Sequence, residues 1–113
     1  MDHKKWIFIS VPMADRTDEE IEQAIYAEAK IYIQRSGLKP EDVVFVNNFD
    51  GYRDYHFYEH TKCKNLGYIG EALKKLAMCD VAVFGKGWKK ARGCMLEATA
   101  CTLYGIPVWD NDK

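Results

Sequence analysis

Four short apolar runs constrain the fold of this chain more than any other feature. They are "KWIFISV" (residues 5–11), "DVVFVN" (42–47), "CDVAVFG" (79–85) and "IPVW" (106–109). Each is rich in β-branched or aromatic residues, and none alternates cleanly with polar ones. Strands covered on both faces read this way. Between the runs lie segments with helical spacing. Thr17 stands three residues before Glu20, a capping-box pattern. Ile21, Ala24, Ile25, Ala29 and Tyr32 then share one side, and Gly37 and Pro40 close the helix. Leu66, Ile69, Leu73 and Leu76 mark a second helix, and residues 92–104 a third, ended by Gly105. Strands that alternate with helices imply a parallel sheet covered on both faces, with right-handed crossovers. The expected fold is therefore α/β, a three-layer Rossmann-like sandwich around a four- or five-stranded parallel sheet.

One segment breaks this rhythm. "NFDGYRDYHFYEHTKCKN" (48–65) is polar and strongly aromatic, with a turn signal at Asp50-Gly51. It is a long connection for a domain of 113 residues, and such loops usually carry function or lack order. Its aromatic content argues against disorder. Phe49, Tyr52, Tyr55, Phe57 and Tyr58 suit either stacking on a flat ligand or burial in a subunit interface. His56, His60 and Cys63 suggest a metal, yet the run is not HExxH and turn signals flank it. We expect no metal and no cofactor.

The length allows one domain, residues 1–113, with no repeat, linker or low-complexity tract. A net charge of −1 argues against a nucleic acid polymer as partner, because phosphate gripping needs a clustered basic surface. Lys86, Lys89, Lys90 and Arg92 form the nearest such cluster, enough for one ligand phosphate or for solubility. The first residues lack the features of a signal peptide, and no run reaches the roughly 20 apolar residues of a membrane span. The four cysteines form no CxxC pair, so reduced thiols in a cytoplasmic protein are expected.

In an open parallel sheet, ligands bind beyond the carboxyl ends of the strands. That rule selects the loops Ser10–Arg16, Asn47 onward, and Gly85–Gly93. Two of them lead into helix N-termini, which favour anions. Neither GxGxxG nor GxxxxGK[ST] occurs, so no dinucleotide or triphosphate is signalled. At about 100° per residue, Gly93, Glu97, Ala100 and Tyr104 fall on one face of the third helix, with Cys101 at its edge. A carboxylate in that stripe is not placed like a solvent-facing residue. Burial would raise its pKa and the helix N-terminus would lower it. Held against a sugar carbon, it could act as a nucleophile. It could equally act as a cap, or pair with Lys89 or Lys90 across the loop. Trp88 suits a pocket wall or packing over the third strand. Arg92 suits a phosphate or loop carbonyls. Asn47 suits a base edge or a turn, and Asp80 a structural role.

"IFISVPMADRTDEEI" together with "YIGEALKKLAMCDVAVFGKGWKKARGCMLEATACTLYGIPV" resembles the nucleoside 2-deoxyribosyltransferase-like superfamily, and more closely a small bacterial and prophage branch of it. The resemblance covers both ends of the chain and not the aromatic loop. It implies a flavodoxin-like fold and a site for a nucleoside or nucleoside monophosphate, with chemistry at the N-glycosidic bond. It implies that Glu97 attacks the anomeric carbon. Ser10, Pro12 and Met13 would bind base or phosphate, and Gly87, Trp88, Arg92 and Gly93 would lie near the sugar. It also implies a homo-oligomer. Two positions depart from the family pattern. Where relatives carry an aspartate before the third strand, Ala72 stands here, with Glu71 adjacent as the candidate second catalytic carboxylate. A further acidic residue shortly before the nucleophile is replaced by Ala91 and Arg92. Binding without turnover, or a plain oligomeric interaction protein, are the alternatives.

Overall fold

A computed structural model of the chain describes residues 3–49 and 60–113. The elements run β1 (Lys5–Ser10), α1 (Asp18–Ser36), β2 (Val43–Val46), α2 (Lys64–Leu76), β3 (Val81–Phe84), α3 (Arg92–Tyr104) and β4 (Val108–Asp110). Short 3-10 turns at Pro40–Asp42 and Trp88–Lys90 precede β2 and α3. The four strands are all parallel, in the order β2-β1-β3-β4. This is the doubly wound α/β architecture, with a flavodoxin-like strand order.

Side-chain parity divides the interior into two layers. Successive strand residues point to opposite faces. Ile7, Ile9 and Val11 of β1 and Val81 and Val83 of β3 pack with Ile21 and Tyr32 of α1. Phe8 of β1 and Ala82 and Phe84 of β3 pack with Ala72 and Leu76 of α2 and with Cys94 and Cys101 of α3. One helix therefore covers one face and two helices cover the other. Tyr32 is almost fully buried and sets its ring edge-on to Trp109 at 5.0 Å and to Phe45 at 6.5 Å. Phe49, the first aromatic of the expected loop, belongs to this α1-side core. Tyr52, Tyr55, His56, Phe57 and Tyr58 lie outside the described residues.

The expected helix signals act as read. The Thr17 side chain accepts from the Glu20 amide at 3.1 Å, and Glu20 Oε1 accepts from the Thr17 amide at 2.8 Å. Gly37 closes α1 in the left-handed conformation, at φ 75°. Asp80 sits just outside β3, where its Oδ2 accepts from the Trp6 amide at 2.8 Å and its own amide donates to the Trp6 carbonyl at 2.7 Å. It locks the register of β1 against β3 at the end away from the strand carboxyl termini. All four cysteines are free thiols. Among the described residues, no helix is long and apolar enough to cross a membrane.

Candidate functional site

From β1 the chain steps outward to β2 on one side, and β3 lies on the other. The strand order therefore reverses between β1 and β3, which makes their carboxyl ends the switch point of the sheet. Ser10 and Phe84 are paired there, and the Gly85 amide donates to the Ser10 carbonyl at 2.9 Å. Past this pair the loops diverge, one to α1 on one face and the other to α3 on the opposite face. A crevice at the top of the sheet follows from the topology.

Glu97 reaches this point from α3. The residue is 6% exposed, and its Oε1 accepts from the Ser10 hydroxyl at 2.6 Å. Parity explains the meeting. Ser10 is two residues on from Phe8 and so faces α2 and α3. On α3, Cys94, Glu97 and Cys101 share the stripe turned to the sheet. This corrects the face expected from spacing. Tyr104 is 83% exposed and belongs to the outer surface, while Cys101 is fully buried rather than marginal. The helix is rotated so that its thiols, more than its glycine and tyrosine, fill the core. Gly93 instead lets α3 approach α2, since a Cβ there would lie 2.9 Å from Ile69 Cδ1.

Burial pushes the Glu97 carboxyl up to about 7, against the smaller opposing pull of the Ser10 hydrogen bond. Glu97 lies in the second turn of α3, beyond the first turn where the helix dipole acts strongly. It pairs with neither loop lysine; Lys89 instead lies 5.7 Å over the Trp88 ring. Ser10 Oγ also sits 3.1 Å from Cys94 Sγ. Burial pushes the Cys94 thiol up to about 11, so it keeps its proton near neutral pH. A serine hydroxyl has one proton to give. With Glu97 ionised, Ser10 donates to the carboxylate and the Cys94 thiol can donate to Ser10. With Glu97 protonated, the direction can reverse. The three groups thus form a short chain that accommodates either charge state of Glu97.

A second buried polar group lies on the same side of the sheet. Two residues on from Val46, the end of β2, which packs on the α2 and α3 side of the sheet, Asn48 falls on that same face. Asn48 is 4% exposed, and its Nδ2 donates to the Tyr68 carbonyl at 3.1 Å. That carbonyl can only accept, which fixes the orientation of the amide. Oδ1 is left buried with no hydrogen-bond partner. Tyr68 OH donates to the Asn48 carbonyl at 2.7 Å and lies 3.7 Å from Met13 Sδ. Sequence reasoning chose Asn47. Asn47 is half-buried, and its carbonyl accepts from Lys75 at 3.5 Å; the deeply buried amide on the Ser10 side is that of Asn48.

The remaining expected residues divide. Pro12 and Met13 follow β1 in the crevice loop, and Pro12 packs near Gly87, whose added Cβ would lie 3.7 Å from Pro12 Cγ. Gly87 has φ 84°, a left-handed turn that a side chain would strain, and its amide donates to Asp112 Oδ2 at 2.9 Å. Trp88 packs over the end of β3, with its ring 5.1 Å from Phe84 and its Nε1 donating to Asp110 Oδ1 at 2.9 Å. Arg92 is the exposed first residue of α3. Glu71 is not brought to Glu97 by any contact. It is paired with Lys74 at 3.2 Å on α2, and Ala72, one residue on, takes the fully buried position. A step of one residue turns a helical side chain by about 100°, which separates the two.

Two residues escaped sequence reasoning. Glu28 of α1 is 6% exposed. It reaches over the end of β3 on the opposite face, where Oε2 accepts from the Lys86 amide at 2.9 Å and Oε1 from Asn111 Nδ2 at 3.0 Å. Its sequence signal was faint: a glutamate flanked by alanines, one turn before Tyr32 on the inward side of α1. Arg16 is exposed in the loop between β1 and α1, after Asp15 (φ 61°), and exerts a small electrostatic pull on Cys94 that opposes the larger effect of burial. Among the described residues, no group of three His, Cys, Asp or Glu side chains could hold a metal ion. Compared with known proteins, the chain matches no family model, no curated protein and no solved structure.

Proposed function

We propose that this chain binds a nucleoside or nucleoside monophosphate and cleaves or transfers its N-glycosidic bond through Glu97. One observation carries the reading. A buried carboxyl with a pKa near 7 stands at the switch point of a parallel sheet, with a serine hydroxyl as its partner. A structural carboxylate gains little from such a place, whereas a nucleophile needs a desolvated, positioned oxygen that ionises near working pH. The resemblance to the nucleoside 2-deoxyribosyltransferase-like superfamily supports the same residue. The orphaned Asn48 oxygen supports a base whose edge offers an N–H, and Arg16 supports a phosphate.

In the proposed step, an ionised Glu97 oxygen bonds to the anomeric carbon as the C–N bond breaks, and the base leaves with the bonding pair and takes up a proton. Water then hydrolyses the glycosyl ester, or a second base attacks it to complete a transfer. The test is release of free base from a panel of deoxynucleosides and their monophosphates. Wild type should release base with a rate that rises through pH 7, and Glu97→Gln should release none. Equal release by both proteins removes Glu97 from the reaction.

One observation favours a second reading. Retaining chemistry uses two carboxyl groups roughly 5 Å apart, and Glu71 is held by Lys74 instead. A module that binds the nucleotide without turnover fits that pairing. Raised unfolding temperature with nucleotide, and no base released, would select it.

A further inference from the structure

The outer face of α3 is unlike that of a solvent helix. From Gly93 to Tyr104, Glu97 is the sole charged residue, and it points inward. The exposed side carries Met95, Leu96, Leu103 and Tyr104, with Leu103 73% and Tyr104 83% exposed. Together with Thr99 and Ala100 they line one shallow apolar groove. The helix α1 offers the contrast, since its exposed positions include Glu19, Glu22, Lys30 and Arg35. Val108 is also exposed, on the α3 side of the edge strand β4.

The pattern along the groove is nearly a palindrome. Large residues at 95 and 96, small ones at 99 and 100, and large ones again at 103 and 104 mirror about the midpoint between Thr99 and Ala100. Leu96 and Leu103 are seven residues apart, close to two full turns, so they form one ridge. A two-fold interface must be self-complementary, with residue i meeting j and j meeting i. Antiparallel packing of two α3 helices provides this. Leu96 of one copy meets Leu103 of the other, Met95 meets Tyr104, and the small residues at the centre let the helices approach. With no charge on the face, two copies meet without repulsion.

The size also fits. Taking roughly 150–250 Å² for a large side chain, the exposed fractions leave on the order of 600 Å² of apolar surface per copy. Two such faces reach about 1,200 Å², the lower end for specific stable interfaces. We infer that the chain forms a two-fold dimer through the outer face of α3, centred on Thr99 and Ala100. The same helix then carries Glu97 on its inner side and the partner copy on its outer side.

The test measures the mass of the full chain in solution by light scattering and sedimentation from 1 to 200 µM. The expected result is a concentration-dependent dimer. Each substitution counts twice across a two-fold axis, so Leu103→Glu should weaken association by at least about 100-fold. Because Leu103 is 73% exposed, the unfolding midpoint of that variant at low concentration should match wild type. As a second measurement, Thr99→Cys in a Cys63→Ser background should cross-link to a dimer on oxidation. A wild-type monomer at 200 µM overturns the proposal. So does a dimer that survives Leu103→Glu and shows no cross-link at residue 99.

Discussion

Replacing Glu97 by glutamine should flatten the pH dependence of stability. An ordinary glutamate carboxyl titrates near 4.5, whereas burial holds that of Glu97 up to about 7. Between those values the folded chain keeps a proton that the unfolded chain releases, so the unfolded state binds fewer protons. Stability must therefore fall as pH rises through this window and level off above pH 7. The span corresponds to about 3 kcal/mol at about 1.4 kcal/mol per pH unit. Glutamine fills the same space without charge. It carries its own fixed cost, because its amide protons need partners, but that cost does not change with pH. The quantity to measure is thus a difference of differences. Urea unfolding, followed by tryptophan fluorescence, is recorded for wild type and Glu97→Gln from pH 4 to pH 8.5. Relative to the variant, wild type should lose about 3 kcal/mol across the range, a midpoint change of roughly 1–3 M urea. Other titrating groups are common to both proteins and cancel. Parallel curves, or a relative loss under about 1 kcal/mol, would refute the claim that the carboxyl is desolvated in the folded chain.

Ser10→Ala should raise the midpoint of the Glu97 titration above 7, because the Ser10 hydroxyl favours the ionised carboxyl. Carbon NMR of the labelled carboxyl, assigned with Glu97→Gln, reads this directly, and an unchanged or lowered midpoint counts against the hydrogen bond. Gly85→Ala should cost about 1–3 kcal/mol by overpacking. The new Cβ would lie 2.7 Å from Glu28 Cγ and 2.8 Å from its Cδ and Oε2. Combining it with Glu28→Ala should recover more than about 1 kcal/mol of that cost, and strict additivity of the two changes would show that Glu28 does not press on Gly85.

The fold was legible because its signals are local and repeated. Apolar strands, the Thr17–Glu20 cap and the Gly37 stop each follow from side chains within a few positions of one another. The candidate site was legible only in part. Glu97 stood out as one charge in a helix of small and apolar residues. Its stripe was misjudged, because 93-97-100-104 and 94-97-101 are both helical spacings, and periodicity alone does not choose between them. Glu71 neighbours Ala72, and its rotation of about 100° from that position was legible in the sequence; its pairing with Lys74 came only with the structure. Asn47 and Asn48 are adjacent in sequence, and strand parity puts the second on the Ser10 side.

By itself the sequence determined the element order, the doubly wound class, and the loops at which a ligand site should form. These depend on hydrophobic period, caps and chain connectivity, all of which act over short stretches. Only the tertiary structure decided which polar groups meet. Ser10 and Glu97 are 87 positions apart, and Glu28 lies 58 positions from the Lys86 amide that it accepts. Such meetings depend on strand register, helix rotation and the packing of two faces at once. The pKa of Glu97 depends on burial by those same distant neighbours, so no local reading of the chain could have set it.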